Sequence, residues 1–196
     1  CAMIDNACYS SQKFTIASSS MNVKFTNNNV TFTRASSNKS GSLLLNFTES
    51  SEIIDSYFNN CQTLNDSSLQ INNIGIQTIT TNIDNCTFIN CIARKYVVSI
   101  PNGISIVHNC SFQFTLSRNA CSGLEISSPT RTEIRDCEFE SNNNKVLNAG
   151  SLHIHNDDGK SPEKVDINGL LFNSCVGSSY RTLSIALSSF NDDQLV

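Results

Sequence analysis

The sequence predicts an all-β fold, a right-handed single-stranded parallel β-helix (solenoid) of about seven coils. Three observations favour this architecture. Aliphatic and phenylalanine positions recur every 24 to 33 residues, Asp, Asn or Gly recurs at one place in each repeat, and turn formers are abundant, with 26 Asn and 30 Ser among 196 residues. We expect a single β-helix segment over residues 1–196, an excerpt of a longer chain, with irregular coils over 1–50 and regular coils over 51–190.

Each repeat contains a phenylalanine that lies five positions after a β-branched aliphatic residue. Stacked coils lie about 4.8 Å apart, so equivalent side chains form continuous interior columns, and burial of each phenylalanine contributes roughly 1.5–3 kcal/mol. Phe32 with Leu43 and Leu45 resembles a degraded earlier copy. The predicted core ladder consists of Phe58, Phe88, Phe112, Phe139 and Phe172.

An aliphatic couplet separates successive phenylalanines. Its two members are two positions apart, which is typical of a strand face and not of a helix face. A β-propeller or sandwich would need many two-residue hairpin turns, and Asn-Gly or Asp-Gly occurs only three times. The couplets therefore indicate further short strands that stack from coil to coil. They are Leu69/Ile71, Val98/Ile100, Leu124/Ile126, Leu152/Ile154 and Leu183/Ile185.

A corner is expected between the aliphatic residue and the phenylalanine. Ile83 and Phe88, for example, are five positions apart and cannot face the same side of one unbroken strand. The residue three positions before each phenylalanine is Asp, Asn or Gly, the types that tolerate the left-handed backbone region. One left-handed residue there turns the chain and restores the inward direction. The predicted corner residues are Asp55, Asn85, Asn109, Asp136 and Gly169.

Cysteines and glycosylation sequons favour an extracellular or cell-surface location. Nine cysteines are many for a cytosolic chain, and six Asn-x-Ser/Thr sequons accompany them. No apolar run approaches the ~18 residues of a membrane span, so we expect no spanning segment. The net charge of −4, with scattered Lys and Arg, argues against a nucleic-acid partner. The candidate glycosylation sites are Asn29, Asn38, Asn46, Asn65, Asn85 and Asn109.

Two cysteine columns predict bonds between neighbouring coils. Cys61 and Cys91 share one repeat position, and Cys86, Cys110 and Cys137 share another. A separation of about 4.8 Å lies within the range that a disulfide tolerates, so Cys61–Cys91 and one neighbouring pair, such as Cys86–Cys110, are candidate disulfides. A ladder of buried free thiols is the alternative, because stacked side chains are parallel. Nine is an odd number, so at least one thiol is free or pairs outside the segment; the candidates are Cys1 and Cys8.

No catalytic residue, metal site or cofactor is predicted. Cys-x-x-Cys is absent, and His153 and His155 fit a solvated strand face better than a metal pair. A glycosidase needs two carboxylates about 5–10 Å apart, one of them with a raised pKa. No paired acid, arginine or lysine constellation recurs on one face. The sequence therefore leaves open whether the chain is an enzyme, and it favours a non-catalytic role. The acids considered are Glu133, Asp136, Glu138, Asp157 and Asp158.

Two kinds of sequence string carry a family resemblance. Phenylalanine precedes asparagine or serine and then cysteine in Phe58-Asn59-Asn60-Cys61, Phe88-Ile89-Asn90-Cys91 and Phe172-Asn173-Ser174-Cys175, and small residues precede aliphatic ones in Ser122-Gly123-Leu124-Glu125-Ile126. Over roughly residues 50–190 these strings resemble the repeats of polymorphic outer membrane proteins of bacteria and related surface proteins of unicellular eukaryotes. The resemblance implies a surface-displayed β-helix used in adhesion and in contact with a host or neighbouring cell.

The expected function is that of a non-catalytic extracellular module for adhesion, surface coating or filament assembly. Parallel coils end in unpaired backbone edges, and neither end of the sequence shows an amphipathic capping helix. We therefore expect the partners to be other protein chains or flanking coils, with surface glycans as a further candidate. The alternative is a polysaccharide-binding or polysaccharide-cleaving β-helix of the lyase or glycosidase type. An enzyme should show a groove with convergent carboxylates or basic residues across three coils, whereas a structural rod should show polar, glycan-bearing faces.

Overall fold

The structure, a computed structural model, describes residues 14–17, 23–26, 29–31, 43–47, 50–63, 67, 69–73, 79–118, 122–144, 150–156, 162–176 and 183–186. Side chains are described from residue 50 onward, except at 72, 73 and 144. Within these ranges the chain forms 22 short β-strands and no helix. The strands are β1 (Phe14–Ala17), β2 (Val23–Thr26), β3 (Asn29–Thr31), β4 (Leu43–Phe47), β5 (Ser50–Ile54), β6 (Tyr57–Asn59), β7 (Leu69–Asn73), β8 (Thr80–Asp84), β9 (Thr87–Ile89), β10 (Ile92–Ala93), β11 (Val98–Ile100), β12 (Gly103–His108), β13 (Ser111–Gln113), β14 (Leu116–Ser117), β15 (Leu124–Ser127), β16 (Pro129–Arg135), β17 (Glu138–Glu140), β18 (Asn143–Asn144), β19 (Leu152–His155), β20 (Lys164–Asn168), β21 (Leu171–Asn173) and β22 (Leu183–Ala186).

The strands form three main sheets and one short sheet. The first sheet has the order β1-β4-β7-β11-β15-β19-β22, the second β2-β5-β8-β12-β16-β20, the third β3-β6-β9-β13-β17-β21, and the fourth β10-β14-β18. Every pair of neighbouring strands in the described ranges is parallel. The chain therefore visits the sheets in turn, and each visit lies one coil further along. This arrangement confirms the predicted all-β parallel solenoid.

About four complete turns lie between β5 and β20. Successive turns place the β-branched residues of the second sheet in one register, from Ile53 through Ile83 and Val107 to Ile134 and Ile167. The predicted count of about seven coils differs from this number of turns. Towards both ends only separate strands are described, and they extend the first sheet to seven strands and the second and third sheets to six.

The phenylalanine ladder runs through the core along the third sheet. Neighbouring rings are stacked with centroids 4.7–5.0 Å apart and planes within 14° of parallel. The first four rings are at most 2% exposed, whereas the last ring is half-buried. Such stacking follows from the parallel register, which places each ring directly over its equivalent in the preceding coil. The stacked residues are Phe58, Phe88, Phe112, Phe139 and Phe172.

The earliest rung of this column differs from the sequence expectation. Val30, and not Phe32, pairs with Phe58, so the assignment of Phe32 as the degraded copy is wrong by two positions. Phe32 itself lies outside the described residues. Leu43 and Leu45 do continue the couplets, because they pair with the couplet of β7. A β-branched residue takes the phenylalanine position here, and a search for aromatic residues alone could not find it.

The predicted corner lies between the second and third sheets. Its five residues have φ values of 50–65°, in the left-handed region, and all five residues are exposed. The backbone hydrogen bonds between coils continue through the corner, as in the bond from Asn85 N to His108 O of 3.1 Å. An Asp, Asn or Gly residue turns the chain there without interrupting the ladder. These residues are Asp55, Asn85, Asn109, Asp136 and Gly169.

A second left-handed corner lies five residues after the first, and the sequence reading missed it. Its φ values are 49–54°, and it separates the third sheet from the fourth. The residue types are mixed, because serine and phenylalanine occur there beside asparagine. The sequence feature that marks this corner is its constant position, two residues after each ladder phenylalanine. The residues are Asn60, Asn90, Phe114, Ser141 and Ser174.

Phe114 is the least suitable residue at this second corner, and its replacement tests the assignment. It has φ of 51° and a side chain that is 51% exposed. A non-glycine residue in the left-handed region costs roughly 1–2 kcal/mol, and asparagine tolerates it better than phenylalanine. We expect Phe114→Asn to raise the free energy of unfolding by about 0.5–1 kcal/mol, measured by urea denaturation. The control Phe114→Leu keeps the strain and should give no gain; equal gains in both variants would contradict the explanation.

Candidate functional site

Six charged or titratable side chains gather on the outer face of the second sheet, and we call them the charged patch. They come from three consecutive strands, β12, β16 and β20. Alternation along these strands points every second residue outward, and the parallel register then places residues from three coils side by side. The charged patch consists of His108, Arg131, Glu133, Arg135, Lys164 and Asp166.

Glu133 lies at the centre of the charged patch. Its Oε1 is 3.1 Å from His108 Nε2 and 3.2 Å from Arg135 Nε, and its Oε2 is 3.3 Å from Arg131 Nη2. Arg135 also contacts the next coil, where its Nη2 donates to Asp166 Oδ2 at 3.0 Å. The network therefore ties three coils together through one carboxylate and one guanidinium.

The electrostatics of the charged patch favour the ionised form of Asp166. The hydrogen bond from Arg135 lowers the pKa of Asp166, and the same contact with Asp166 raises the pKa of Arg135. The expectation that no acid, arginine or lysine constellation recurs on one face is thus wrong. The sequence could not reveal it, because Glu133 and Asp166 are 33 positions apart and meet only through the register. A glycosidase acid needs a raised pKa, and Asp166 shows the opposite direction.

The lowered pKa of Asp166 predicts a pH dependence of stability. A carboxyl whose folded pKa lies below its unfolded value of about 3.9 stabilises the fold above that pH, and the contribution is lost as pH falls through the folded pKa. We expect Asp166→Asn to show a shallower fall of Tm between about pH 5 and pH 2 than the unsubstituted chain. Glu163→Gln, which removes an exposed carboxylate outside the charged patch, is the control. Identical acid profiles for Asp166→Asn and the unsubstituted chain would contradict the ion pair.

The remaining acids that the sequence suggested do not converge on this patch. Asp136 is a corner residue, and Glu138 lies on β17 of the third sheet. Asp157 and Asp158 lie outside the described residues. Among the acids considered, only Glu133 therefore belongs to a described charged cluster. The basic members Arg131, Arg135 and Lys164 were not predicted from the sequence, because they meet the carboxylates only through the register of neighbouring strands.

The two histidines of β19 lie on one face of the first sheet, as their spacing predicts. The rings of His153 and His155 are stacked with centroids 4.5 Å apart. His155 Nε2 is 2.9 Å from Oε1 of Glu125, a residue only 5% exposed, and the Ser99 hydroxyl donates to Glu125 Oε2 at 2.6 Å. Among the described residues no group of three His, Cys, Asp or Glu side chains is arranged to hold a metal. The contacts instead satisfy a buried carboxylate.

The described cysteines are free, so the predicted disulfides Cys61–Cys91 and Cys86–Cys110 are wrong. The thiols bond to backbone carbonyls beside the corners. Cys110 Sγ, for example, donates to His108 O at 3.0 Å. Stacked side chains in a parallel register point the same way, which favours such carbonyl bonds over a link between coils. The free cysteines are Cys61, Cys86, Cys91, Cys110, Cys137 and Cys175, while Cys1, Cys8 and Cys121 lie outside the described residues.

Cys86, Cys110 and Cys137 form a column of thiols that are each 1% exposed. Contacts with the thiols of Cys137 and Cys86, together with burial, hold the pKa of Cys110 well above the ordinary value of a thiol. A thiol with a raised pKa is protonated at neutral pH and is a poor nucleophile. The column therefore acts as core filling at the first corner.

Two of the six sequons lie at the first corner, where the side chain points outward. Asn85 and Asn109 are exposed, so a left-handed corner and an accessible amide coexist at the same residue. Asn85 Nδ2 donates to Asp55 Oδ1 at 2.6 Å, and Asn109 Nδ2 donates to Asp84 Oδ1 at 2.9 Å. Asn29 and Asn46 lie in β3 and β4, whose side chains are not described; the two other sequons, Asn38 and Asn65, lie outside the described residues.

The last described strands of the three main sheets are β20, β21 and β22, and we call them the C-terminal edge. Each of them has a described neighbour on one side only. The inward residues Leu183 and Ile185 of β22 are each 38% exposed, whereas their register partners Leu152 and Ile154 are fully buried. Within the described residues, the C-terminal edge therefore combines end strands of three sheets with exposed apolar core positions. At the other end β1, β2 and β3 likewise have a described neighbour on one side only.

The described residues include no helix with the length and apolarity needed to cross a membrane. Comparison of the chain with models of protein families, with curated proteins and with solved structures found no match.

Proposed function

We propose that this chain is a non-catalytic, rod-like extracellular module for adhesion, surface coating or filament assembly, and that it extends by stacking coil on coil. The C-terminal edge is the observation that carries the proposal. The apolar couplet that is buried in β7, β11, β15 and β19 is exposed in β22. The edge of a parallel sheet is a template for further strands, since its N–H and C=O groups have the spacing that another coil requires.

The two ends of the solenoid support stacking in one direction. All sheets are parallel, so the edge formed by β1, β2 and β3 and the C-terminal edge run in the same sense. A second copy of the chain placed head to tail continues each sheet with strands that are again parallel. Contacts of this heterologous kind do not close on themselves and build linear assemblies. The resemblance to polymorphic outer membrane proteins is consistent with display of such a rod at a cell surface.

Assembly of the full chain tests this proposal. We expect sedimentation velocity and electron microscopy to show linear oligomers that lengthen with concentration. Ile185→Lys places a charge at the C-terminal edge and should leave the chain monomeric, because a lysine at an uncovered edge opposes strand addition.

Tyr57→Lys is the matched control, since Tyr57 is also 38% exposed but projects outward from β6, which has a described neighbour on both sides. This variant should assemble like the unsubstituted chain. A monomer at every concentration, or equal loss of assembly in both variants, would contradict the proposal.

A polysaccharide-binding surface is the second candidate, and the charged patch is the observation that favours it. The patch spans three coils and contains Arg131, Arg135 and Lys164 against two carboxylates. Exposed guanidinium groups are suited to bidentate contact with acidic sugars. Binding to immobilised acidic polysaccharides should weaken in Arg131→Ala and stay unchanged in Lys95→Ala, which alters an exposed cation outside the patch. Equal binding by all three proteins would reject this role.

A further inference from the structure

A column of hydroxyl side chains runs through the interior of the second sheet. It lies two positions before the aliphatic column in each coil and faces the same inward side. Serine and threonine alternate along it, and all four residues are at most 3% exposed. The column consists of Ser51, Thr81, Ser105 and Thr132.

Valine occupies the same register position on both sides of this column. Val23 of β2 pairs with Ser51, and Val165 of β20 pairs with Thr132. Val165 is fully buried. Along this register position the side chains therefore change from apolar to polar and back to apolar, and at Thr132 and Val165 the change occurs between side chains of nearly the same shape. The hydroxyl column is therefore a polar segment of defined length within an apolar core.

Among the described residues, three of these hydroxyls have no hydrogen-bond partner. The oxygens are Ser51 Oγ, Ser105 Oγ and Thr132 Oγ1, all inaccessible from outside. The contrast with the thiol column is informative, because each of those thiols reaches a carbonyl beside a corner. In the middle of a strand the carbonyls are already engaged in the ladder between coils. A buried hydroxyl without a partner is costly, and nearly all buried polar groups in proteins are bonded to protein or to ordered water.

We infer that this column binds a short file of water molecules inside the solenoid. Neighbouring rungs are about 4.8 Å apart, so one water can lie within about 2.8 Å of the hydroxyls of two successive coils. Each serine lacks the methyl group that threonine carries, and alternate rungs therefore leave room beside the column. Internal waters of this kind bond to two to four polar groups. The flanking valines end the file, because they offer no polar atom.

An atomic-resolution crystal structure of the full chain tests the inference directly. We expect ordered solvent within about 2.7–3.2 Å of both Ser105 Oγ and Thr132 Oγ1. The absence of solvent density at these hydroxyls, or hydroxyls bonded to main-chain carbonyls instead, would overturn it.

A pair of isosteric substitutions distinguishes a column that binds water from a dry column, which contains none. The expected changes in Tm differ between the two cases. With bound water, Thr132→Val removes an anchor of the file and lowers Tm by roughly 2–4 °C, whereas Val165→Thr extends the file and leaves Tm nearly unchanged. In a dry column Thr132→Val would remove a hydroxyl that has no partner and raise Tm, and Val165→Thr would lower it. The second pattern would overturn the inference.

Discussion

Replacing Phe112 with alanine should lower the free energy of unfolding by about 3–5 kcal/mol. The ring is fully buried and stacks on two neighbours, with centroids 5.0 Å from Phe88 and 4.9 Å from Phe139. Its removal loses the transfer free energy of the side chain, leaves a cavity in a rigid column and breaks two aromatic contacts. Urea denaturation measures the loss.

Two further alanine variants calibrate this result. Phe172 is the half-buried last ring of the ladder and should show an intermediate loss. Phe114 is 51% exposed and should change stability by less than about 0.5 kcal/mol. Losses of similar size at Phe112, Phe172 and Phe114 would contradict a stack whose contribution depends on burial.

Gly123→Ala should lower the free energy of unfolding by about 1–3 kcal/mol through overpacking. A Cβ at Gly123 would lie 2.3 Å from the carbonyl oxygen of Ser151 and 3.2 Å from ring atoms of Phe139. The carbonyl of Ser151 cannot simply move, because it accepts the N–H of Leu124 at 2.9 Å between coils. The position requires glycine because of this close approach between neighbouring coils, since the glycine does not have a positive φ.

Ser122→Ala is the control for this glycine. It changes the adjacent buried residue without adding an atom, and its hydroxyl has no hydrogen-bond partner in the described structure. This control should therefore be neutral or slightly stabilising in the same denaturation experiment. A Gly123→Ala variant as stable as Ser122→Ala would contradict the close packing of these two coils.

The parallel solenoid was predictable because the backbone conformation at its corners and the packing of its core restrict which residue types occur there. A left-handed backbone accepts few side chains, and so Asp55, Asn85 and Asn109 revealed the first corner. The second corner was less visible, since Phe114 and Ser141 occupy it against their preference and only the spacing marks it. The aliphatic and phenylalanine columns could be recognised because apolar residues recur in them at each coil.

Outward-facing clusters were not predictable, because neither type nor spacing constrains them. Glu133 and Asp166 meet only through the register of β16 and β20. The disulfide prediction failed for a related reason, since an acceptable separation says nothing about side-chain direction. The hydroxyl column did leave a signal, two positions before Ile53 and its equivalents, but serine and threonine are so abundant in this chain that composition hid it.

The two corners are always five residues apart, whereas the repeats themselves span 24, 27, 30 or 33 residues. The segment between the two corners thus has a constant length, and all variation in repeat length falls on the rest of each coil. A chain built in this way can gain or lose loop residues on its flank while the pitch of the rod stays constant. The loops on the outer surface can therefore vary in length without changing how further coils stack along the axis.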